Sequence, residues 1–90
     1  MRDISQMDDR ELMRALIVAA GALDDLKWSL EEARVDAARL TPVDGETLSR
    51  RRERRLAQVR RMIDEAPAIV AQRELEVARL EAERARRGLR

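Results

Sequence analysis

Ninety residues limit the chain to one small domain, and a chain this short buries only a modest share of its surface when it folds alone. Charged side chains make up 41%, and the apolar 44% is almost wholly Ala, Leu, Val, Ile and Met with Trp28 the lone aromatic, a mixture that points to long helices or coiled coil. With no Cys and no His, disulfides, thiolate zinc sites and a cysteine nucleophile are excluded, the commonest metal ligand and general base are missing, and no cofactor is expected.

Arg2 and Asp3 open a polar stretch unlike a signal peptide, and the apolar run from Ala15 to Leu23 is too short to span a bilayer. A soluble, cytoplasmic chain without membrane contact is the expectation. Leu12, Leu16, Ala19, Leu23, Leu26, Leu30, Ala33, Ala37 and Leu40 then recur in alternating steps of four and three. That heptad seam predicts a helix over about residues 8 to 40, roughly 50 Å long, with Ser5 or Asp8 capping its start.

Thr41-Pro42-Val43-Asp44-Gly45-Glu46 is the break, because Pro42 disfavours helix at Thr41 and Asp44-Gly45 is a turn dipeptide. Thr41 or Asp44 is expected to cap the next helix. A second seam, Leu56, Val59, Ile63, Ala66, Val70, Arg73, Val77 and Leu80, predicts a helix from about 47 to 87, kinked at Pro67 and closed by Gly88. A turn at residues 64 to 67, giving a three-helix bundle, is disfavoured because no Gly or spare polar residue is there to form it.

The two halves differ in charge. Residues 1–46 carry six basic and eleven acidic side chains, a net of −5, whereas residues 47–90 carry thirteen and seven, a net of +6. An acidic half and a basic half favour a chain that doubles back. Folding at residue 44 sets residue i opposite about 88 minus i, so Ala33 meets Leu56, Leu26 meets Ile63, Leu12 meets Val77 and Gly21 meets Pro67. Residues past about 80 then have no neighbour on the first helix. The expected fold is all-α: an antiparallel helical hairpin or coiled coil, its second helix kinked at Pro67, two copies pairing into a four-helix bundle.

That assembly is inferred from an apolar belt. From Leu12 to Leu23 the only polar side chain is Arg14, and the facing stretch Ala66 to Ala71 is wholly apolar. Met13, Ile17, Val18, Gly21, Pro67, Ile69 and Val70 are therefore the candidate self-association residues of a homo-oligomer, with a dimer favoured. A monomer would have to cover the belt with residues 1–7 or its C-terminal segment. Trp28 lies off the seam, as a protein-partner anchor or as filler that covers the dimer edge or packs along a long Arg side chain.

The run Arg50, Arg51, Arg52, Arg54, Arg55, followed by Arg60 and Arg61, is the densest charge. Glu31, Glu32, Asp36, Asp44 and Glu46 are expected to neutralise part of it across the hairpin. The alternative is sequence-nonspecific contact with nucleic-acid phosphates through Arg50, Arg51, Arg54, Arg55, Arg60 and Arg61. Base readout is not signalled, since no helix-turn-helix spacing, zinc-finger pattern or aromatic platform is present. Glu31, Glu32 and Asp36 form a single carboxylate cluster with no matched second pair, and no phosphate loop or nucleophile–base pair occurs. The sequence thus points to a non-catalytic protein–protein interaction and assembly protein.

Overall fold

The computed structural model describes residues 3–43 and 45–89. A short 3-10 turn, Ile4–Gln6, leads into helix α1, Asp9–Leu40, and a loop connects α1 to helix α2, Arg50–Arg86. Helix α1 starts where the Asp8 carboxylate accepts a hydrogen bond from the Glu11 amide at 2.7 Å, a bond that lowers the Asp8 pKa. It ends at Thr41, whose hydroxyl donates to the Ala37 carbonyl at 2.6 Å, with Pro42 unable to extend the helix.

Thr41 therefore closes α1 and does not open α2. Ser49 caps α2, accepting from the Arg52 amide at 3.3 Å, so the helix begins three residues later than position 47. Between the caps, Glu46 folds back on the loop. Its carboxylate accepts from the Val43 amide at 3.1 Å and its own amide donates to the Val43 carbonyl at 2.9 Å. Gly45 takes the positive φ of +82° that this turn requires. The cap and turn roles expected of Asp44 lie outside the described residues.

The helices pack antiparallel in a rod of 61 × 24 × 16 Å. Leu12, Leu16, Ala19, Leu23, Leu30 and Ala33 of α1 are buried against Leu56, Val59, Ala66 and Leu80 of α2. The ion pairs Asp36–Arg55, Lys27–Glu74 and Asp9–Arg87 set residue i opposite about 96 minus i, so the register differs from the sequence expectation by about two helical turns. Leu12 packs in one cluster with Leu80 as well as Val77. A sliding shift of one heptad returns the same stripe to the seam, so the periodicity alone does not choose between the two registers. The loop is longer than expected, with α2 starting at Arg50.

Two further expectations are corrected by this register. Gly21 is exposed, and a methyl placed on it meets nothing within 4 Å, so it does not let Pro67 approach closely within the hairpin. Arg73, the one charged position of the α2 seam, falls at about the level of Leu23. It leaves the seam and donates to Glu76 at 3.1 Å. Helix α2 runs unbroken through residues 64 to 67, so no third helix forms.

The residues past 80 do not project. Leu80 is buried, and Leu89 packs on the Leu12–Leu16–Leu80 cluster together with Ile4 and Met7 from the N-terminal segment. Gly88 at φ +71° turns the chain inward, with its amide donating to the Ala85 carbonyl at 3.0 Å and the Leu89 amide to Arg84 at 3.1 Å. This is a Schellman end, in which the residue after the glycine returns to the apolar stripe.

Arg87 fastens the same end. Its side chain, 13% exposed, donates to Glu83 at 2.8 Å, Asp9 at 3.1 Å and the Ile4 and Ser5 carbonyls at 3.2 and 3.3 Å. Hydrogen bonds from Arg86 and Arg87 hold the Glu83 pKa down at about 2.

Candidate functional site

Helical periodicity divides the surface beside the seam into two flanks. Met13, Ala20 and Lys27 of α1 repeat every seventh residue on one flank, facing Pro67 and Glu74 of α2; the Lys27–Glu74 ion pair at 3.7 Å spans it. Ala15, Ala22, Ser29 and Asp36 occupy the other flank with Arg55, Met62 and Ile69, and the Asp36–Arg55 pair at 3.5 Å spans that one. The belt residues are therefore not one patch. Met13, Ile17 and Pro67 belong to the first flank and Val18 and Ile69 to the second, while Gly21 sits on the outer edge of α1 and Val70 is half-buried in the seam.

The hairpin leaves several of these side chains in solvent: Ile17 is 70% exposed, Val18 65% and Ile69 43%. Leu75 of α2, 53% exposed, is a further exposed apolar side chain outside the residues expected of the belt. Residues 4–7 and Leu89 do fold back, but they cover the Leu12–Leu80 end and leave Ile17 and Val18 exposed.

The second flank carries two shallow grooves that meet at Met62. One is lined by Ser29, Ala33, Val59 and Met62, with Asp36 and Arg55 at its end; the other runs along Leu26, Met62, Ala66 and Ile69, edged by Gln58, Arg61 and Glu65. Trp28, 65% exposed, stands apart on the outer edge of α1, in a groove with Glu31, Glu32, Val35, Asp36 and Arg39. It does not pack within the hairpin. Val35, seven residues on, continues its stripe, and the sequence signal for it was that same spacing.

At the loop end, Arg50, Arg51, Arg52, Arg54 and Arg55 line one concavity with Leu40 and Gln58. The neutralisation expected there is mostly absent. Among the described residues only Arg55 of the run forms an ion pair, with Asp36. Glu31 is taken by Arg34 on its own helix, Glu46 holds the loop, and Glu32 makes no ion pair. Arg60 and Arg61 have none either.

Among the described residues no group of three or more acidic side chains is placed to hold a metal ion, and no helix is long and apolar enough to cross a membrane. Comparison with protein-family models, curated proteins and solved structures returns no match.

Proposed function

We propose that this hairpin is a non-catalytic assembly protein that pairs with a second copy of itself through the second flank, forming a four-helix bundle. The observation that carries the proposal is surface in excess of what a chain of this size normally exposes. A compact monomer of 10.4 kDa exposes about 5,400 Å². This chain exposes 7297 Å², an excess of roughly 1,900 Å² where a standard interface removes ~800 Å² per partner.

The flank follows from its chemistry. The first flank is crossed by Lys27, Glu74, Arg34 and Arg60, whose burial would need a partner for every charge. The second offers Val18, Ala22, Met62 and Ile69 over its middle, with the Asp36–Arg55 pair at one end, Glu76 at the other, and Arg61 and Glu65 along its edge. Each apolar side chain of that size contributes about 1.5–3 kcal/mol when buried. The bend expected at Pro67 belongs to the same proposal: Pro67 donates no hydrogen bond to Ile63, and a bend there lets α2 follow a partner helix. Trp28 and Val35 stay outside the bundle as an anchor for a protein partner.

Light scattering after size exclusion tests the assembly. A dimer that persists at high salt is expected, with Ile69→Glu reducing it to monomer and Ile17→Glu, on the other flank, having the smaller effect. A wild-type monomer at every concentration would refute the proposal.

A further inference from the structure

We infer that the loop end of the hairpin binds the phosphodiester backbone of a nucleic acid through Arg50, Arg51, Arg54 and Arg61, independently of the apolar flank. Arg50, Arg54 and Arg61 follow one another along a single stripe of α2, about 16 Å from first to last at ~1.5 Å per residue. Arg51 lies beside that stripe in the same concavity, with Gln58 as a further donor. None of the four has a carboxylate partner among the described residues.

Such crowding of like charge is unfavourable unless an anion accompanies it. The anion must match the density. The acidic outer edge of α1 in a second copy is the nearest protein candidate, but Glu31 is already paired to Arg34 and Lys27 and Arg39 stand among Asp24, Asp25 and Glu32. Those remaining carboxylates are fewer than the unpartnered arginines and are interrupted by positive charge. A duplex, by contrast, presents one phosphate charge per ~1.7 Å of its axis, without interruption. Guanidinium groups bind phosphate oxygens bidentately, which suits a run made of Arg with no Lys. The concavity holds no aromatic side chain on which a base can stack, so binding is indifferent to sequence.

The test is fluorescence anisotropy of a labelled random-sequence DNA duplex titrated with the full chain at several salt concentrations. Four phosphate contacts give a slope of about −4 in log affinity against log salt, a roughly 200-fold loss between 50 and 200 mM salt. Arg50→Gln, Arg51→Gln and Arg54→Gln together should flatten that slope to about −1, because each removed contact takes ~0.9 from it. These three side chains hold no other part of the fold, and circular dichroism of the triple variant should match the parent. No binding at low salt would overturn the inference. So would a triple variant that binds DNA unchanged, or one whose only defect is loss of a salt-labile oligomer, which would identify the acidic edge of a second copy as the true partner. The salt-resistant dimer is scored separately, so either proposal can fail alone.

Discussion

The two ends of the rod carry the same kind of side chain in opposite circumstances. Where the termini meet, Arg87 is nearly enclosed and its donors reach Glu83, Asp9 and two backbone carbonyls, over a floor of Leu12, Leu16, Leu80 and Leu89. Where the helices connect, arginines of the run stand in solvent with one ion pair among them and only Leu40 beneath. An arginine in the first setting closes the fold, because its hydrogen bonds join three separate segments of chain. In the second, only Arg55 reaches across, to Asp36; the others join nothing among the described residues and are left for something outside. Neighbouring carboxylates, and whether they already have partners, decide between the two.

The contrast breaks most visibly in the core. Leu12→Ala removes a side chain with no exposure at the centre of the terminal cluster, and a cost of about 2–5 kcal/mol is expected. Leu40→Ala removes the same atoms from a half-buried position beside the loop, and the cost should be well under half of that. Urea unfolding of the two variants checks it. Equal losses would mean that the loop end is as tightly packed as the terminal end.

Much of this was legible in the residues and some was not. The two seams were, because apolar side chains at steps of three and four can share a buried face only on helices, and every seam position except Arg73 is buried or half-buried. The register was not, since a shift of one heptad leaves the same side chains on the same stripe; the loop is longer than expected, and the Ser49 cap carries no signal that outranks Thr41. Arg87 was invisible as a fastener, being one arginine among eighteen, and its role depends on Gly88 turning the chain back over residues 4–7. The salt bridges expected of Glu31 and Glu46 failed for a local reason: a partner three residues away on the same helix, or an amide in the same turn, is reached before one across the hairpin.

Removing a single guanidinium at each end sharpens the comparison further. Arg87→Gln breaks bonds to α1, to the N-terminal turn and to Glu83, so the amides of Glu11 and Leu89 should lose protection against hydrogen exchange while those near Gly45 do not change. Arg51→Gln should leave exchange unaltered throughout, since its side chain has no partner among the described residues to lose. Protection lost equally in both variants would show that charge balance along the whole rod, and not the bonding of Arg87, fastens the termini.

Acid should act on one end alone. Glu83 ordinarily titrates near 4.5, and its hydrogen bonds to Arg86 and Arg87 lower that to about 2 in the folded chain. A carboxyl whose folded pKa is depressed adds stability that is complete above its unfolded value and is lost as the pH falls toward its folded one. The Asp8 cap, lowered mainly by the Glu11 amide, works in the same direction and lies at the same end. Protection factors at Gly88 and Leu89 should therefore stay level down to about pH 4.5 and decline from there toward 2. Glu83→Gln should start lower and flatten most of that decline, leaving a remainder from Asp8. The side chains of Arg51, Arg52 and Arg54 form no ion pair among the described residues, and a decline at the Arg51 to Arg54 amides matching that at Leu89 would mean that acid unfolds the rod as one unit, with the termini no more dependent on Glu83 than the loop is.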